Sequence, residues 1–295
     1  MYTMFKKFLA TAITFLFLVG ALALTGCSND SPAAIIPLDT DLAAVNELPR
    51  IWEVPPPAVP ENMAAEYTTT NLLQLSPLTY GELLVTMHTS LGDILLRFFP
   101  TEAPMAVENF LTHAWNGYYD GVIFHRVIPE FMIQGGCPLG QGTGGESIWG
   151  GNFGWEISTE LRHFRGALAM AHTGAPNSIG SQFYIVQNTS VDPGLRSEFI
   201  RLLEMQDELF EEFPDGSYVT FGDVFPAESL QYFIDNGGTP HLDWHFSNSP
   251  HPVFGHVVSG MHVVDAIANV DAPGSRPAED VVILGFSFHT YQGGS

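Results

Sequence analysis

Residues 83–88 and 94–99 are near-continuous apolar, β-favouring runs separated by Thr89-Ser90-Leu91-Gly92-Asp93. This pattern predicts two antiparallel strands joined by a short turn. Over residues 104–115 the period changes: Val107, Phe110, Leu111 and Ala114 fall on one helical face, with Pro104 at the start and Gly117 past the end. That is an amphipathic helix with ordinary start and stop signals. Apolar runs at 122–127, 131–134, 166–171, 182–187 and 253–257, set apart by Gly and Pro, predict more short strands, and 261–269 a second helix. Many short strands with two helices left over predict a mainly β fold, a closed barrel capped at its ends.

The first quarter of the chain follows a different pattern. Lys6 and Lys7 precede an apolar run over residues 8–24, then Thr25, Gly26 and Cys27, which is a signal-peptide layout. Leu24-Thr25-Gly26-Cys27 resembles the lipobox of bacterial lipoproteins, which implies removal of residues 1–26 and a diacylglycerol on Cys27. Two acyl chains anchor stably where one does not. The alternative is an uncleaved N-terminal anchor with an incidental Cys. Residues 27–78 are rich in Pro and Ala, carry Pro55-Pro56-Pro57 and show no sustained period, so they read as a tether. The folded domain is then expected over residues 79–292, outside the cytoplasmic membrane.

Charge narrows the partners. With 32 acidic residues against 10 Lys and Arg, the formal net charge of −22 repels nucleic acid and anionic headgroups alike. Membrane residence therefore needs a covalent or hydrophobic anchor. The two cysteines, Cys27 and Cys137, sit in unrelated contexts and suggest no disulfide framework.

Three segments carry the chemistry. Phe124-His125-Arg126-Val127-Ile128-Pro129-Glu130-Phe131-Met132-Ile133-Gln134-Gly135-Gly136 is followed by Gly166-Ala167-Leu168-Ala169-Met170-Ala171-His172 with Asn177-Ser178-Ile179-Gly180-Ser181-Gln182-Phe183-Tyr184, and then by Val253-Phe254-Gly255-His256-Val257. In that order they resemble the cyclophilins, a family of peptidyl-prolyl cis-trans isomerases. The resemblance spans roughly residues 83–287. It implies a closed antiparallel eight-stranded β-barrel capped by two α-helices, and acceleration of X-Pro rotation in unfolded exported proteins. It also assigns roles: Arg126 as the catalytic residue, Phe131, Met132, Tyr184 and Leu242 around the proline ring, and His251 at the rim. Gln134, Ala171 and His172 would grip the flanking peptide, and Gln182 would orient Arg126.

The physics of the reaction fits those residue types. Rotating an X-Pro bond breaks amide resonance against a barrier of about 18–20 kcal/mol, while no bond is made or cut. No nucleophile, metal or cofactor is expected. At the twisted transition state the prolyl nitrogen regains a lone pair, so a donor aimed there acts on the transition state alone. A guanidinium, always charged and rich in N–H groups, suits that task and makes turnover independent of pH between about 6 and 9. Taken singly, Phe131, Met132 and Leu242 read as core. Their spacing after Arg126 is what marks them.

Departures from the family pattern are Tyr184 in place of Phe, His172 in place of Asn and His241 in place of Trp. The Tyr184 hydroxyl needs a partner in an apolar pocket. Residues 188–238 form an insertion, and helical spacing over 197–213 predicts a helix in it. The glycine-rich run from Gly135 to Gly145 lacks the Lys-Ser/Thr of a phosphate loop, and His241, His245, His251 and His256 match no standard metal-ligand spacing. The chain is expected to act as a monomer on proline-containing peptides. The rival reading is an anchored peptide-binding or chaperone module with negligible turnover.

Overall fold

In the computed structural model, residues 72–293 are described. The signal peptide, Cys27 and most of the tether lie outside the described residues. The first two strands, β1 (Leu83–Thr89) and β2 (Gly92–Phe98), form the predicted hairpin, with Thr89 opposite Gly92 across a two-residue turn. Helix α1 (Pro104–Trp115) has Pro at its first turn and buries Val107, Phe110, Leu111 and Ala114. Its first free N–H groups are satisfied from outside: the Glu156 carboxylate accepts from Met105 N at 3.0 Å and Ala106 N at 2.8 Å.

Six more strands complete the sheet: β3 (Arg126–Ile128), β4 (Met132–Gly135), β5 (Ala167–Met170), β6 (Phe183–Val186), then β9 (Val253–Ser259) and β10 (Ile283–Thr290). The order is β10-β1-β2-β9-β5-β6-β4-β3, with every pair antiparallel. Helix α5 (Met261–Ala268) follows β9 and buries Val263, Val264 and Ile267. Rings of Phe98, Phe110, Tyr119, Phe183, Phe254 and Phe286 pack between sheet and α1, with the closest pair, Phe110 and Phe183, at 5.1 Å edge to face.

The closed barrel expected from the sequence is corrected to a half-barrel. The run predicted as one strand over 122–127 divides. Gly121, Val122 and Phe124 bond across to Val281 and Ile283 around a single bridge, Ile123 to Val282, whereas β3 begins only at Arg126. No ladder therefore joins β3 to β10, and one bridge links the two edges.

The insertion also differs from its prediction. The helix expected over 197–213 is α2 (Pro193–Glu204), which starts earlier because Pro193 and the Asp192 side-chain cap set its first turn. It stops at Met205, and the apolar residues beyond enter a hairpin, β7 (Leu209–Glu212) with β8 (Tyr218–Thr220), folded back at Pro214-Asp215-Gly216. A one-turn helix α3 (Phe221–Val224) and a longer α4 (Ala227–Asn236) complete it. The insertion leaves and rejoins the sheet at one point, since Gly237 lies against the backbone of Asn188 and Thr189. Before β1, Gln74 is fully buried and bonds both Arg162 N (2.6 Å) and Arg162 O (2.9 Å), so the chain is docked on the sheet by this residue.

Candidate active site

Register builds the site. Arg126 pairs with Gln134, Gln134 with Tyr184, and Tyr184 with Ala169, so one row crosses four strands; Ile128, Met132 and Val186 form the next row on the same face. A turn at Pro129-Glu130, with Glu130 at φ 55°, reverses the chain between β3 and β4 and brings Phe131 to the edge of that face. Met132 and Tyr184 are buried in one apolar cluster with Ala169, Val186 and Val253, and Phe131, Ala171 and Leu242 pack on it half-buried. Leu242 arrives from a single 3-10 turn, Pro240–Leu242, directly after the insertion.

Arg126 stands at the margin of this hollow. One Nη faces Gln134 Oε1 at 3.3 Å and Met132 Sδ at 3.8 Å, and the guanidinium carbon lies 5.7 Å from the Phe131 ring centre. Among the described residues no carboxylate pairs with it, and its other guanidinium N–H groups have no partner. Burial pulls its pKa down from the ordinary arginine value. Such a group retains its charge at neutral pH but is poorly solvated, so an acceptor brought to it is bound strongly.

The glutamines form a relay behind it. Gln134 Nε2 donates to Gln182 Oε1 at 3.0 Å, and Gln182 Nε2 donates to Gly142 O at 3.0 Å and Gly144 O at 2.9 Å. Gln182 therefore reaches Arg126 only through Gln134, and the glycine-rich loop supplies the acceptors that hold both. Cys137 in that loop is free and buried, its thiol directed at Thr143 O.

On the opposite side, His251 Nδ1 bonds Met170 O at 3.1 Å, and its ring stacks on His172 at 3.9 Å and meets Tyr184 edge-on at 5.5 Å. His172 ties down two loops: Nε2 donates to Pro250 O at 3.0 Å, and Nδ1 accepts from Gly174 N at 2.9 Å. The Ala171 N–H is already given to Gln182 O. His241 stacks over Phe131 at 5.8 Å. All ten residues that the resemblance points to in the folded part are thus linked in one constellation.

Burial, reinforced by neighbouring histidines, pushes His251 down to about 3 and His241 to about 4. Both are neutral through the physiological range. Turnover is accordingly expected to stay level from about pH 6 to pH 9, because neither these rings nor Arg126 changes charge there. A rate profile on an Ala-Pro peptide checks this, and an inflection inside that window would contradict it. His245 and His256 serve elsewhere, His245 against Arg162 and the Phe225 ring and His256 near Gln74. Among the described residues no group of three or more His, Cys, Asp or Glu side chains is placed to hold a metal ion.

Sequence reasoning missed His163 and Asp243. The Tyr184 hydroxyl meets His163 Nε2 at 2.8 Å, and His163 Nδ1 lies 2.6 Å from Asp243 Oδ1. The signal was the hydroxyl's need for a partner, but the partner lies in a loop without period.

A half-buried cation that pairs with no carboxylate among the described residues stands beside an apolar hollow on a half-barrel of antiparallel strands, an arrangement able to offer hydrogen-bond donors to an apolar substrate group. The profile described as cyclophilin type peptidyl-prolyl cis-trans isomerase/CLD matches residues 84–229 and 226–287. Proteins from Staphylococcus haemolyticus (strain JCSC1435) and Staphylococcus aureus (strain USA300) that carry the name peptidyl-prolyl cis-trans isomerase are each 43% identical over 204 residues. That is 69% of this chain and 89% and 90% of theirs. Among solved structures, a Cryptosporidium parvum cyclophilin type peptidyl-prolyl cis-trans isomerase, crystallised in the presence of the dipeptide Ala-Pro, is 28% identical. It superposes with a TM-score of 0.50 over 70% of this chain and 99% of its own. A second structure of that enzyme gives 0.51 over 72% and 99%. The chain belongs to the cyclophilin-type peptidyl-prolyl cis-trans isomerase family and is an enzyme of that class.

Proposed function

We propose that Arg126 is the catalytic donor for rotation of X-Pro bonds in exported proteins, in an enzyme held at the outer face of the cytoplasmic membrane by lipid on Cys27. The observation that carries the catalytic part is the Arg126 guanidinium itself, with N–H groups free of any partner among the described residues and a relay of Gln134 and Gln182 behind it. Phe131, Met132, Tyr184 and Leu242 receive the proline ring, and His251 borders it. Gln134 and the backbone around Ala171 and His172 hold the flanking peptide, so that one bond rotates while its neighbours stay fixed. The Cryptosporidium enzyme studied with Ala-Pro supports a proline-containing peptide as the ligand. As the amide twists, an Arg126 N–H donates to the prolyl nitrogen, which accepts only when out of plane.

The export reading rests on Lys6-Lys7, the apolar run and Leu24-Thr25-Gly26-Cys27. The substrates are then unfolded or refolding chains outside the cytoplasm, where uncatalysed isomerisation takes tens of seconds. Expression of the full chain in a bacterium tests the anchor. The native chain should enter the membrane fraction as a lipid-labelled protein beginning at residue 27, and Cys27→Ala should lose the label. Equal labelling of both, or recovery of the native chain without lipid, would reject the anchor and leave the isomerase intact.

A further inference from the structure

We propose that His163 is a positioning residue that sets the width of the proline pocket and so the size of ring the enzyme accepts. The inference rests on the pocket assignment above. Every polar group of His163 serves the same clamp. Its backbone N–H donates to Asp243 Oδ1 at 2.8 Å and its carbonyl accepts from Thr239 N at 2.8 Å, which closes both ends of the turn that carries His241 and Leu242. Its ring Nδ1 meets the same Asp243 oxygen at 2.6 Å, and Nε2 meets the Tyr184 hydroxyl at 2.8 Å. A carboxylate oxygen only accepts, so the network assigns a ring proton to Nδ1, while Nε2 is the partner of the Tyr184 hydroxyl. The clamp is interior: His163 is 1% exposed and Asp243 3%.

Its ends are the two sides of the pocket. Tyr184 forms the floor on β6, while Leu242 and the His241 ring stacked on Phe131 form the far wall. The wall stands at the end of the 188–238 insertion and belongs to no ladder of the sheet, so the sheet alone does not fix its distance from the floor. His163 bonds to both sides and spans that distance, alongside the His251 N–H that donates to Leu242 O at 3.3 Å. Arg126 bonds to Gln134 and Met132 and has no bond to the clamp.

A pocket of set width distinguishes ring sizes. One methylene more or less in an apolar pocket changes selectivity by about 10- to 200-fold. The test compares kcat/KM for two otherwise identical peptides, one with proline and one with its six-membered piperidine homologue, followed by NMR exchange. Wild type is expected to prefer proline by at least about tenfold. In His163→Leu and in Asp243→Ala the far wall is released and the preference should narrow by about threefold or more. Asp243→Asn, whose amide oxygen still accepts from both donors, should keep the wild-type preference within about twofold. A general loss of structure lowers both rates together and leaves their ratio unchanged. An unchanged ratio in both disruptive variants would overturn the proposal, and if His163→Leu does not fold, the Asp243 pair decides. Wild type that turns over neither peptide would instead reject the pocket assignment itself.

Discussion

Replacing Arg126 with Ala is expected to lower kcat/KM on an Ala-Pro peptide by about two to three orders of magnitude while the fold survives. The size follows from where the donor acts. Its hydrogen bond to the prolyl nitrogen is absent in either planar state, so its loss falls almost entirely on the transition state. The structural cost is small because the side chain pairs with no carboxylate among the described residues. Truncation leaves only the Gln134 carbonyl short of a donor, and Gln134 remains bonded to Gln182. Arg126→Lys keeps the charge but loses the fork, and recovers only a fraction of the rate. A protease-coupled assay gives the rates, and circular dichroism verifies the fold.

Mild acid should destabilise this protein before most of its carboxylates are protonated. Burial, aided in each case by a neighbouring positive charge or imidazole, holds His256 and His251 at about 3 and His241 at about 4. In the unfolded chain each returns to about 6.5. Since the folded values are the lower ones, the stability these rings contribute is complete above pH 6.5. It is lost as pH falls through the window from 6.5 to about 3, because the unfolded state takes up protons that the folded state refuses. At about 1.4 kcal/mol per unit, each ring withdraws on the order of 2 kcal/mol by pH 5, a large share of the 5–15 kcal/mol typical of a domain. The net charge of −22 pulls the other way, since self-repulsion eases toward the isoelectric point near 4.6. Above pH 5 most carboxylates are still ionised, so the histidine effect prevails there. Urea midpoints should drop steeply between pH 7 and pH 5. A midpoint that holds or rises would mean that these rings are solvated in the folded protein.

The elements legible in advance were those whose pattern is local. The β1–β2 hairpin and α1 follow from a strict change of period with Gly and Pro at the joins. Arg126, Phe131, Met132 and Gln134 were legible because one hairpin carries them all, and Tyr184 because its segment is distinctive. The open edge of the sheet was not legible: whether residues 121–124 pair with β3's neighbours or with residues 281–283 is a long-range choice that alternation does not encode. The insertion misled for a different reason. Apolar residues at Met205 and Leu209 continue the helical spacing of α2, yet the helix ends at Met205 and Leu209 enters β7 exposed, while its neighbour Phe210 packs edge-on against Phe221. The clamp of His163 and Asp243 joins positions 80 apart in sequence, and only a solved neighbourhood reveals such a pair.

The central claim, that an arginine donor serves the twisted amide and little else, is best tested by separating binding from rotation. NMR exchange spectroscopy on an Ala-Pro peptide measures both the affinity and the interconversion rate of the bound peptide, for the native enzyme and for Arg126→Ala. The expected result is a Kd within about threefold of the native value with bound-state interconversion about a hundredfold slower. Weaker binding that accounts for the whole loss, with rotation on the enzyme unchanged, would contradict the account.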